Sequence, residues 1–335
     1  MALTTTYGQI GLREDLSDAI YNIAPTDTPY TSAIQKGKKA AHRKIEWQTD
    51  TLASDDGSIA VLEGADATDR TFTATMRLAN HTHLMDRAIK ISDAADVITA
   101  AGRDTETGYQ VMKRTKEIKR HMENRLCGNW KSDDGSALTA RQCAGFAAWI
   151  TTNDSRGQAG ATKGTQGGYS SVSGEVTAAT DGTSSSLRTF TETLLKGRIK
   201  ACWEEGGEDS IMIMNGGLKQ KLSAFSGVAT KYNIVDKSVS SNEIVAAIDL
   251  YASDFGVKKA VPSRFTGGRA AGNNRDHEVM GVDPKMISLH NFQPFSVGPL
   301  ARVGHANRKL LKVEFSQAMR NEKGNWIITE LDDSK

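Results

Sequence analysis

The chain has 335 residues, of which 38% are hydrophobic and 24% are charged, and its formal net charge is +2. This composition excludes wholesale disorder, and the near-neutral charge excludes a global attraction to DNA or to anionic membranes. No apolar run approaches the roughly 20 residues that span a bilayer, and the first residues lack the apolar centre of a signal peptide. Three widely spaced cysteines, Cys127, Cys143 and Cys202, predict buried free thiols in a reducing compartment.

The first 35 residues predict an extended arm with one short helix. An apolar helical face is formed by Leu12, Leu16, Ile20 and Ile23. Pro25 and Pro29 follow and are expected to end this helix. The arm is too short to build a core of its own, so we expect it to lie on another surface, such as another subunit.

A basic segment follows the arm. Residues 36–44 contain five basic side chains and no acid: Lys36, Lys38, Lys39, Arg43 and Lys44. Taken alone, this pattern is typical of a solvated linker.

Two strand-like segments around a polar tip predict a long hairpin. Apolar and polar side chains alternate around Ile45 and Trp47, and again between Phe72 and Leu78, which is typical of strands with one apolar face. Between the strands, residues 55–69 carry five acids and no base: Asp55, Asp56, Glu63, Asp66 and Asp69. Two strands alone are marginally stable in water, so the hairpin is expected to rest on another surface.

A long helix is predicted over residues 104–126. Its apolar stripe consists of Tyr109, Met112, Ile118, Met122 and Leu126. The opposite face is basic and includes Lys113, Lys116, Lys119 and Arg120. The opposite charges of this helix and of the hairpin tip predict that the two dock, within or between subunits. No aromatic residues are interleaved with the bases, which argues against recognition of nucleic-acid bases.

The rest of the chain predicts an α+β fold. Gly, Ser and Thr supply 21 of the 36 residues in 151–186, which predicts an exposed or flexible loop because few apolar side chains are available for a core. Helices are expected over 187–205 and near 219–225, and short strands over 210–215, 243–249, 254–261, 278–282 and 286–289. A closing hairpin is predicted from strand 311–316, turn 321–325 and strand 326–329.

The sequence contains no phosphate-binding loop, dinucleotide fingerprint, nucleophile elbow or metalloprotease motif. His81 and His83, with Asp86 nearby, form the best metal candidate, because alternate residues of one strand share a face. Two imidazoles without a clear third ligand are more typical of a solvated or interface surface. We therefore predict no catalytic residue, no bound metal and no cofactor.

Three runs of the sequence resemble one family of proteins. These runs are LREDLSDAIYNIAPTDTPYTSAIQKGKKA (12–40), AGRDTETGYQVMKRTKEIKRHMENRL (101–126) and ARVGHANRKLLKVEFSQAMRNEKGNWIITEL (301–331). They resemble tailed-bacteriophage major capsid proteins of the Hong Kong 97-type fold. The likeness covers both ends and the long helix, and it is weak across residues 151–186.

The resemblance implies a division of the chain into named parts. The parts are an N-terminal arm (1–44), an E-loop hairpin (45–90), a peripheral domain (91–206 and 301–335, with the long helix as its spine and an insertion at about 151–186) and an axial domain (207–300). In this family the E-loop lies across a neighbour's peripheral domain. We therefore expect the helix bases Lys113, Lys116, Lys119 and Arg120 to dock the acidic tip of a neighbouring copy.

The resemblance also implies a function. The protein would assemble into hexamers and pentamers of an icosahedral phage head around double-stranded DNA, and it would belong to the virion after assembly in the host cytoplasm. Implied partners are further copies of the chain, a portal protein, a cement or decoration protein, and packaged DNA touched nonspecifically by Lys36–Lys44. Because the arm motif begins near Met1, a separate scaffolding protein is implied. No membrane partner is implied.

Two alternatives stay open at this stage. An encapsulin-like shell of a cellular compartment would share this fold but hold a cargo enzyme. A metal-dependent enzyme would use His81 and His83, with Asp86 nearby, and would form a small discrete oligomer around a pocket.

Overall fold

The computed structural model describes residues 27–52, 60–66, 74–98, 104–157, 164–170, 172–180, 187–225, 249–265 and 278–332. The helix predicted over residues 12–23 lies outside these ranges. Within them, the α-helices in chain order are α1 (Pro29–Ala33), α2 (Asp93–Val97), α3 (Glu106–Cys127), α4 (Phe146–Trp149), α5 (Glu192–Glu204) and α6 (Gly216–Ser223). None of these described helices has the length and apolar character needed to cross a membrane.

The strands of the described ranges are β1 (Gln35–Lys36), β2 (Lys44–Thr49), β3 (Met76–His81), β4 (His83–Ser92), β5 (Asp154–Ser155), β6 (Gly168–Tyr169), β7 (Val176–Thr177), β8 (Arg188–Thr189), β9 (Ile211–Met214), β10 (Leu250–Ser253), β11 (Gly256–Pro262), β12 (Val279–Val282), β13 (Ile287–Leu300), β14 (Ala306–Met319), β15 (Trp326–Ile328) and β16 (Leu331–Asp332). A four-stranded sheet has the order β1-β13-β14-β4, and a six-stranded sheet has the order β10-β11-β9-β12-β15-β5. The pairs β2–β3, β6–β7 and β8–β16 form two-stranded sheets.

The four-stranded sheet is built on a hairpin of two 14-residue strands, β13 and β14. Gly304, at a φ of +66°, lies in the turn between them, where a residue without Cβ costs least. The closing hairpin expected from the sequence is therefore wrong. β14 pairs with β13 and β4, whereas β15 pairs with β12 and β5 in the other sheet.

The six-stranded sheet separates two hydrophobic cores. Alternate strand residues point to opposite faces, so Ile213 and Met280 join the core shared with α3, whereas Met212 and Val279 join the core beneath α5 and α6. Burial on both faces explains why β9 is a continuous apolar run. The strands predicted at 210–215, 254–261 and 278–282 are confirmed, and part of 243–249 lies outside the described residues.

Helix α3 confirms the predicted long helix. The Thr105 hydroxyl accepts a hydrogen bond from the Gly108 amide and caps the N-terminus. Ile118, Met122 and Leu126 are buried on one face, and they pack in the core shared with the four-stranded sheet. The prediction is wrong for Met112, whose side chain is 64% exposed, so the apolar spacing identifies the buried face correctly only in the C-terminal half of this helix.

The helix expected over residues 187–205 is shorter than predicted. Arg188 and Thr189 form β8, and α5 begins after the capping residue Thr191. The strand expected at 286–289 is instead the beginning of the much longer β13. This strand lies in the proposed axial range but pairs with β14 of the proposed peripheral range, and the domain division stays a prediction.

The Gly/Ser/Thr-rich segment does not form an exposed loop in its described parts. Val176 is buried, and its carbonyl accepts a hydrogen bond from the Ser132 amide at 3.0 Å. A Cβ at Gly167 would lie 2.4 Å from the Ala148 carbonyl oxygen. Backbone hydrogen bonds and close backbone approach therefore hold these residues against the body, in place of large apolar side chains.

Candidate assembly surfaces

The first candidate surface is the solvent-facing side of α3. Lys113, Lys116 and Lys119 are exposed, and none of them forms an ion pair with any residue in the described part of the chain. Arg120 differs, because its guanidinium lies 6.0 Å from the centre of the Phe265 ring, within the range of a cation–π contact. Three of the four predicted bases are therefore available to a partner.

The second candidate surface is the limb, a hairpin of residues 44–81 that contains β2 and β3. The base of this hairpin packs on the core of its own chain, where Trp47 lies 5.3 Å from Trp149. β2 pairs with β3 from Lys44 opposite His81 to Thr49 opposite Met76, which confirms the base of the predicted limb. Near its tip, the side chains of Leu52, Val61 and Leu62 are 99%, 71% and 84% exposed. Such exposure of large apolar groups on an ordered protein is typical of surfaces that bind a partner.

The two tip acids that the structure describes, Glu63 and Asp66, do not meet the helix bases of their own chain. Glu63 and Asp66 are exposed and form no ion pair with the described residues. Asp55, Asp56 and Asp69 lie outside the described residues. Among the described residues the predicted pairing is not made within one chain, and docking on a neighbouring copy stays a prediction.

The base of the limb is fixed to the body by a buried amide. The Asn80 side chain donates to the Gln317 carbonyl at 2.7 Å and accepts from the Ala144 amide at 2.9 Å. Thr82 separates β3 from β4, and its hydroxyl donates to Glu314 at 2.5 Å. β4 then leaves the limb and pairs with β14.

His81 and His83 do not share a strand face, because the break at Thr82 places them on β3 and β4, in two different sheets. The His83 ring packs 5.8 Å from the Phe315 ring, and burial together with Arg125 lowers the pKa of His83 to about 4. His81 contacts Asp134 and Glu175 instead. In the ranges that the structure describes, no cluster of three His, Cys, Asp or Glu side chains is placed to hold a metal ion. All three cysteines are buried and free, as predicted.

The basic segment is not a solvated linker. Lys36 in β1 pairs with Leu289 of β13, and the Gly37 and Ala40 amides donate to the Leu289 and Asn291 carbonyls. Two of the basic side chains have acidic neighbours: Arg43 lies 3.5 Å from Asp134, and Lys44 lies 3.8 Å from Glu175. Lys36, Lys38 and Lys39 are exposed and form no ion pair with described residues.

Sequence reasoning missed the buried acceptor that joins α1 to α3. Glu123 accepts hydrogen bonds from the backbone amides of Tyr30 and Thr31 and from the Thr31 hydroxyl. Burial raises the pKa of Glu123, and the Thr31 and Tyr30 donors oppose that shift. The available signal was an acid next to Met122, at the edge of the apolar stripe of an otherwise basic helix.

The long helix packed on a β-hairpin sheet, the two-stranded limb and the second α+β core define the Hong Kong 97-type capsid fold. The fold agrees over nearly the whole chain with solved shells. A cyanophage A-1(L) capsid subunit has a TM-score of 0.62 at 11% identity and covers 96% of this chain, which covers 97% of that one. The SrpI encapsulin of Synechococcus elongatus PCC 7942 has a TM-score of 0.56 at 8% identity, with coverages of 100% and 98%.

The chain belongs to the SU10 major capsid protein family, which it matches over residues 2–332. It is 37% identical over 125 residues to the major capsid protein of Escherichia phage Phieco32. That match covers 37% of this chain and 35% of the relative, so it spans about a third of the relative's length. The family and the fold expected from the sequence are thereby confirmed.

Proposed function

We propose that this protein is the shell subunit of a tailed-phage head, and that it assembles into hexamers and pentamers around double-stranded DNA. The observation that carries the proposal is the exposed apolar and acidic tip of the limb. The same chain presents three exposed lysines on α3 that form no ion pair with the described residues. Leu62 is 84% exposed, and burying one such side chain contributes about 1.5–3 kcal/mol. A second copy supplies the surface that this chain lacks.

The intersubunit contact joins the tip acids of one copy to Lys113, Lys116 and Lys119 of its neighbour. Each exposed ion pair contributes about 0–1 kcal/mol, so the charges select the register of docking and the apolar tip residues supply most of the affinity. In a closed shell every subunit is held by several neighbours. A weak contact between any two subunits is therefore sufficient for a stable shell.

Charge reversal tests this pairing. The variant K113E/K116E/K119E should assemble poorly, and adding E63K/D66K should restore part of the yield of shells seen by electron microscopy. The matched control K90E/K259E/K312E reverses three exposed lysines on β4, β11 and β14 that form no ion pair with the described residues, and it should assemble normally. Normal shells from both single-side reversals would contradict the pairing.

The exposed lysines Lys36, Lys38 and Lys39 would touch packaged DNA through its phosphates. A portal protein, a separate scaffolding protein, a cement or decoration protein and assembly in the host cytoplasm belong to the same proposal. These partners, and the location of the protein in the virion, are inferred from the likeness to capsid proteins.

An encapsulin-like compartment is the second candidate, because the SrpI encapsulin shares the fold over the full chain. The family match and the Phieco32 relative favour the phage head. Purified native particles should contain double-stranded DNA that resists added nuclease until the shell is opened. Particles filled with a protein cargo and free of nucleic acid would favour the compartment.

A further inference from the structure

Strand β4 forms one edge of the four-stranded sheet. It pairs with β14 over ten consecutive residues, from His83 opposite Phe315 to Ser92 opposite Ala306, without a register shift. Among the residues that the structure describes, no strand pairs with its other edge. An open groove of about 540 Å³ lies beside this edge, between the second half of β4 and the first half of α3. The backbone donors and acceptors of the edge can therefore pair with another strand.

The features that commonly protect an edge strand from pairing are prolines, bulges and charged side chains that point inward. β13 has the first two, since it contains Pro294 and Pro299 and two register shifts. β4 contains no proline, no glycine and no bulge. The guanidinium of Arg87 lies 3.4 Å from the His121 ring of α3 in its own chain, so its charge is directed over that helix. The free edge of β4 is therefore regular and open to a partner.

The charges on β4 are arranged to match a second copy of the same strand. Alternate residues point away from α3, and all of them are exposed: Leu84, Asp86, Ala88, Lys90 and Ser92. Suppose that two copies pair antiparallel about a two-fold axis at Ala88. Asp86 of each copy then lies opposite Lys90 of the other, and the overlap runs from Leu84 to Ser92. Because opposite residues share a face, this is the register in which the one acid of β4 meets a base.

Both charged groups are available for this contact. Neither Asp86 nor Lys90 forms an ion pair with another residue in the described ranges. The two are four residues apart on one strand, about 14 Å, which is too far for a pair within the chain. Lys312 lies opposite Asp86 on β14, but no ion pair joins them. Ala88, at the axis, has a small side chain that lets two strands approach.

We propose that two unassembled copies of the chain pair through the free edges of β4, antiparallel and about a two-fold axis at Ala88. The contact is isologous, because the same surface of each copy takes part. It uses neither the tip of the limb nor the lysines of α3, and it therefore goes beyond the proposed function. In a shell each subunit is held by several other contacts, so reversal of Lys90 should abolish the pairing of free chains without preventing shell formation.

Cysteine cross-linking of the full chain tests the register. In an antiparallel pair the Cα atoms of opposite residues lie about 4.5–5.5 Å apart, and a disulfide spans about 4.4–6.8 Å. A88C should therefore give covalent dimers under mild oxidation, because this position meets its own copy at the axis. The three natural cysteines are buried and should not react. S92C is the matched control, since it lies on the same face but about 27 Å from its own copy in this register.

Charge reversal tests the pairing by a second route, in sedimentation of the full chain at low ionic strength. D86K and K90D should each raise the dissociation constant of the dimer about 10-fold or more, because both ion pairs become repulsions. An equimolar mixture of D86K and K90D chains should recover dimers, since the acids of one chain then face the lysines of the other. K259E reverses an exposed lysine of β11 and should leave the dissociation constant unchanged.

An A88C chain that forms no cross-link would overturn the pairing, and so would an S92C chain that cross-links as readily. Self-association that persists unchanged in both D86K and K90D would assign the edge to another segment and also overturn it. Shell formation is scored separately by electron microscopy. Dimers of a chain that never forms shells contradict only the proposed function, and shells from a chain that never dimerises contradict only the pairing.

Discussion

Tyr30 and Gln317 are separated by 287 residues, and the Tyr30 hydroxyl donates to the Gln317 side-chain oxygen at 3.0 Å. The Gln317 amide nitrogen in turn donates to the Ala144 carbonyl at 3.0 Å. One buried side chain on β14 thus joins α1 to the segment that precedes α4. Helix α1 is therefore fixed on the same core as α3.

We expect Y30F to lower the free energy of unfolding by about 1–2 kcal/mol, because it leaves the buried Gln317 oxygen without that donor. Urea unfolding at a single pH measures the change. Y169F is the control, since no hydrogen bond of the Tyr169 hydroxyl to a described residue is found, and it should change stability by much less. Equal effects of the two substitutions would contradict the assignment.

Removal of the Glu123 acceptor should cost more than removal of the Tyr30 donor. E123A leaves the buried Tyr30 and Thr31 amides without their carboxylate and should destabilise the chain by about 2–3 kcal/mol. E123Q retains one acceptor oxygen and avoids a buried charge, so its loss should be smaller. A greater loss for E123Q than for E123A in urea unfolding would show that the carboxylate does not act as the cap of α1.

The long helix and the buried strands were predictable because their signals are local. Apolar side chains at a spacing of three and four fix the buried face of α3, and a short apolar run marks β9. Lys113 and Lys119 were correctly expected to be on the free face for the same reason. Arg120 lies near the same face, but its contact with Phe265 depends on a residue 145 positions away in the sequence, which no periodicity encodes.

Strand partners were not predictable from the same signals. The period-two pattern of β14 predicts a strand, and the turn that follows it resembles a hairpin turn. In the structure that turn carries Glu322, whose carboxylate accepts hydrogen bonds from the Thr151 and Thr152 amides. The turn therefore connects two sheets. The exposed loop predicted for the Gly/Ser/Thr-rich segment was wrong for a related reason. The packing of this segment depends on backbone contacts, which the amino-acid composition does not indicate.

Substitution of two glycines by alanine distinguishes a glycine that close packing requires from one that it does not. A Cβ at Gly281 would lie 2.0 Å from the Trp326 ring, which is buried and donates to Asp209 at 2.7 Å. We expect G281A to destabilise the chain by about 2–3 kcal/mol, since the ring must shift within a packed core. G197A should instead stabilise it by about 0.5–1 kcal/mol, because Gly197 lies inside α5 and no atom of the described residues lies within 4 Å of the new methyl group. Thermal unfolding of both variants tests the contrast, and a stable G281A would contradict it.

The ionisation of Asp154 should lower the free energy of unfolding as pH rises from about 4 to 6. Burial raises the pKa of Asp154 to about 6, although Arg156 opposes the shift. The unfolded chain has a pKa of about 3.9 at this residue, so the folded chain binds the proton more tightly. The stabilisation by this proton is complete below pH 4 and is lost as pH passes 6, a loss of about 2–3 kcal/mol.

D154N cannot titrate and should lack this loss. The free energy of unfolding of D154N minus that of the unmodified chain, measured with urea, should therefore increase between pH 4 and pH 7. D249N is the matched control, because a hydrogen bond from Lys219 lowers the pKa of the exposed Asp249 and its small effect should have the opposite sign. A difference between D154N and the unmodified chain that stays constant over this range would contradict the assignment.

The five bases of residues 36–44 should differ in their contribution to DNA binding. Lys36, Lys38 and Lys39 are exposed without an acidic partner among the described residues, whereas Arg43 and Lys44 lie near Asp134 and Glu175. Each lysine that meets a phosphate adds about 0.9 to the slope of log affinity against log salt. K36Q/K38Q/K39Q should therefore lower that slope by about 2–3 for any DNA sequence. R43Q should lower it by less, because Asp134 already offsets its charge. An unchanged slope in the triple variant would contradict a DNA contact at these lysines.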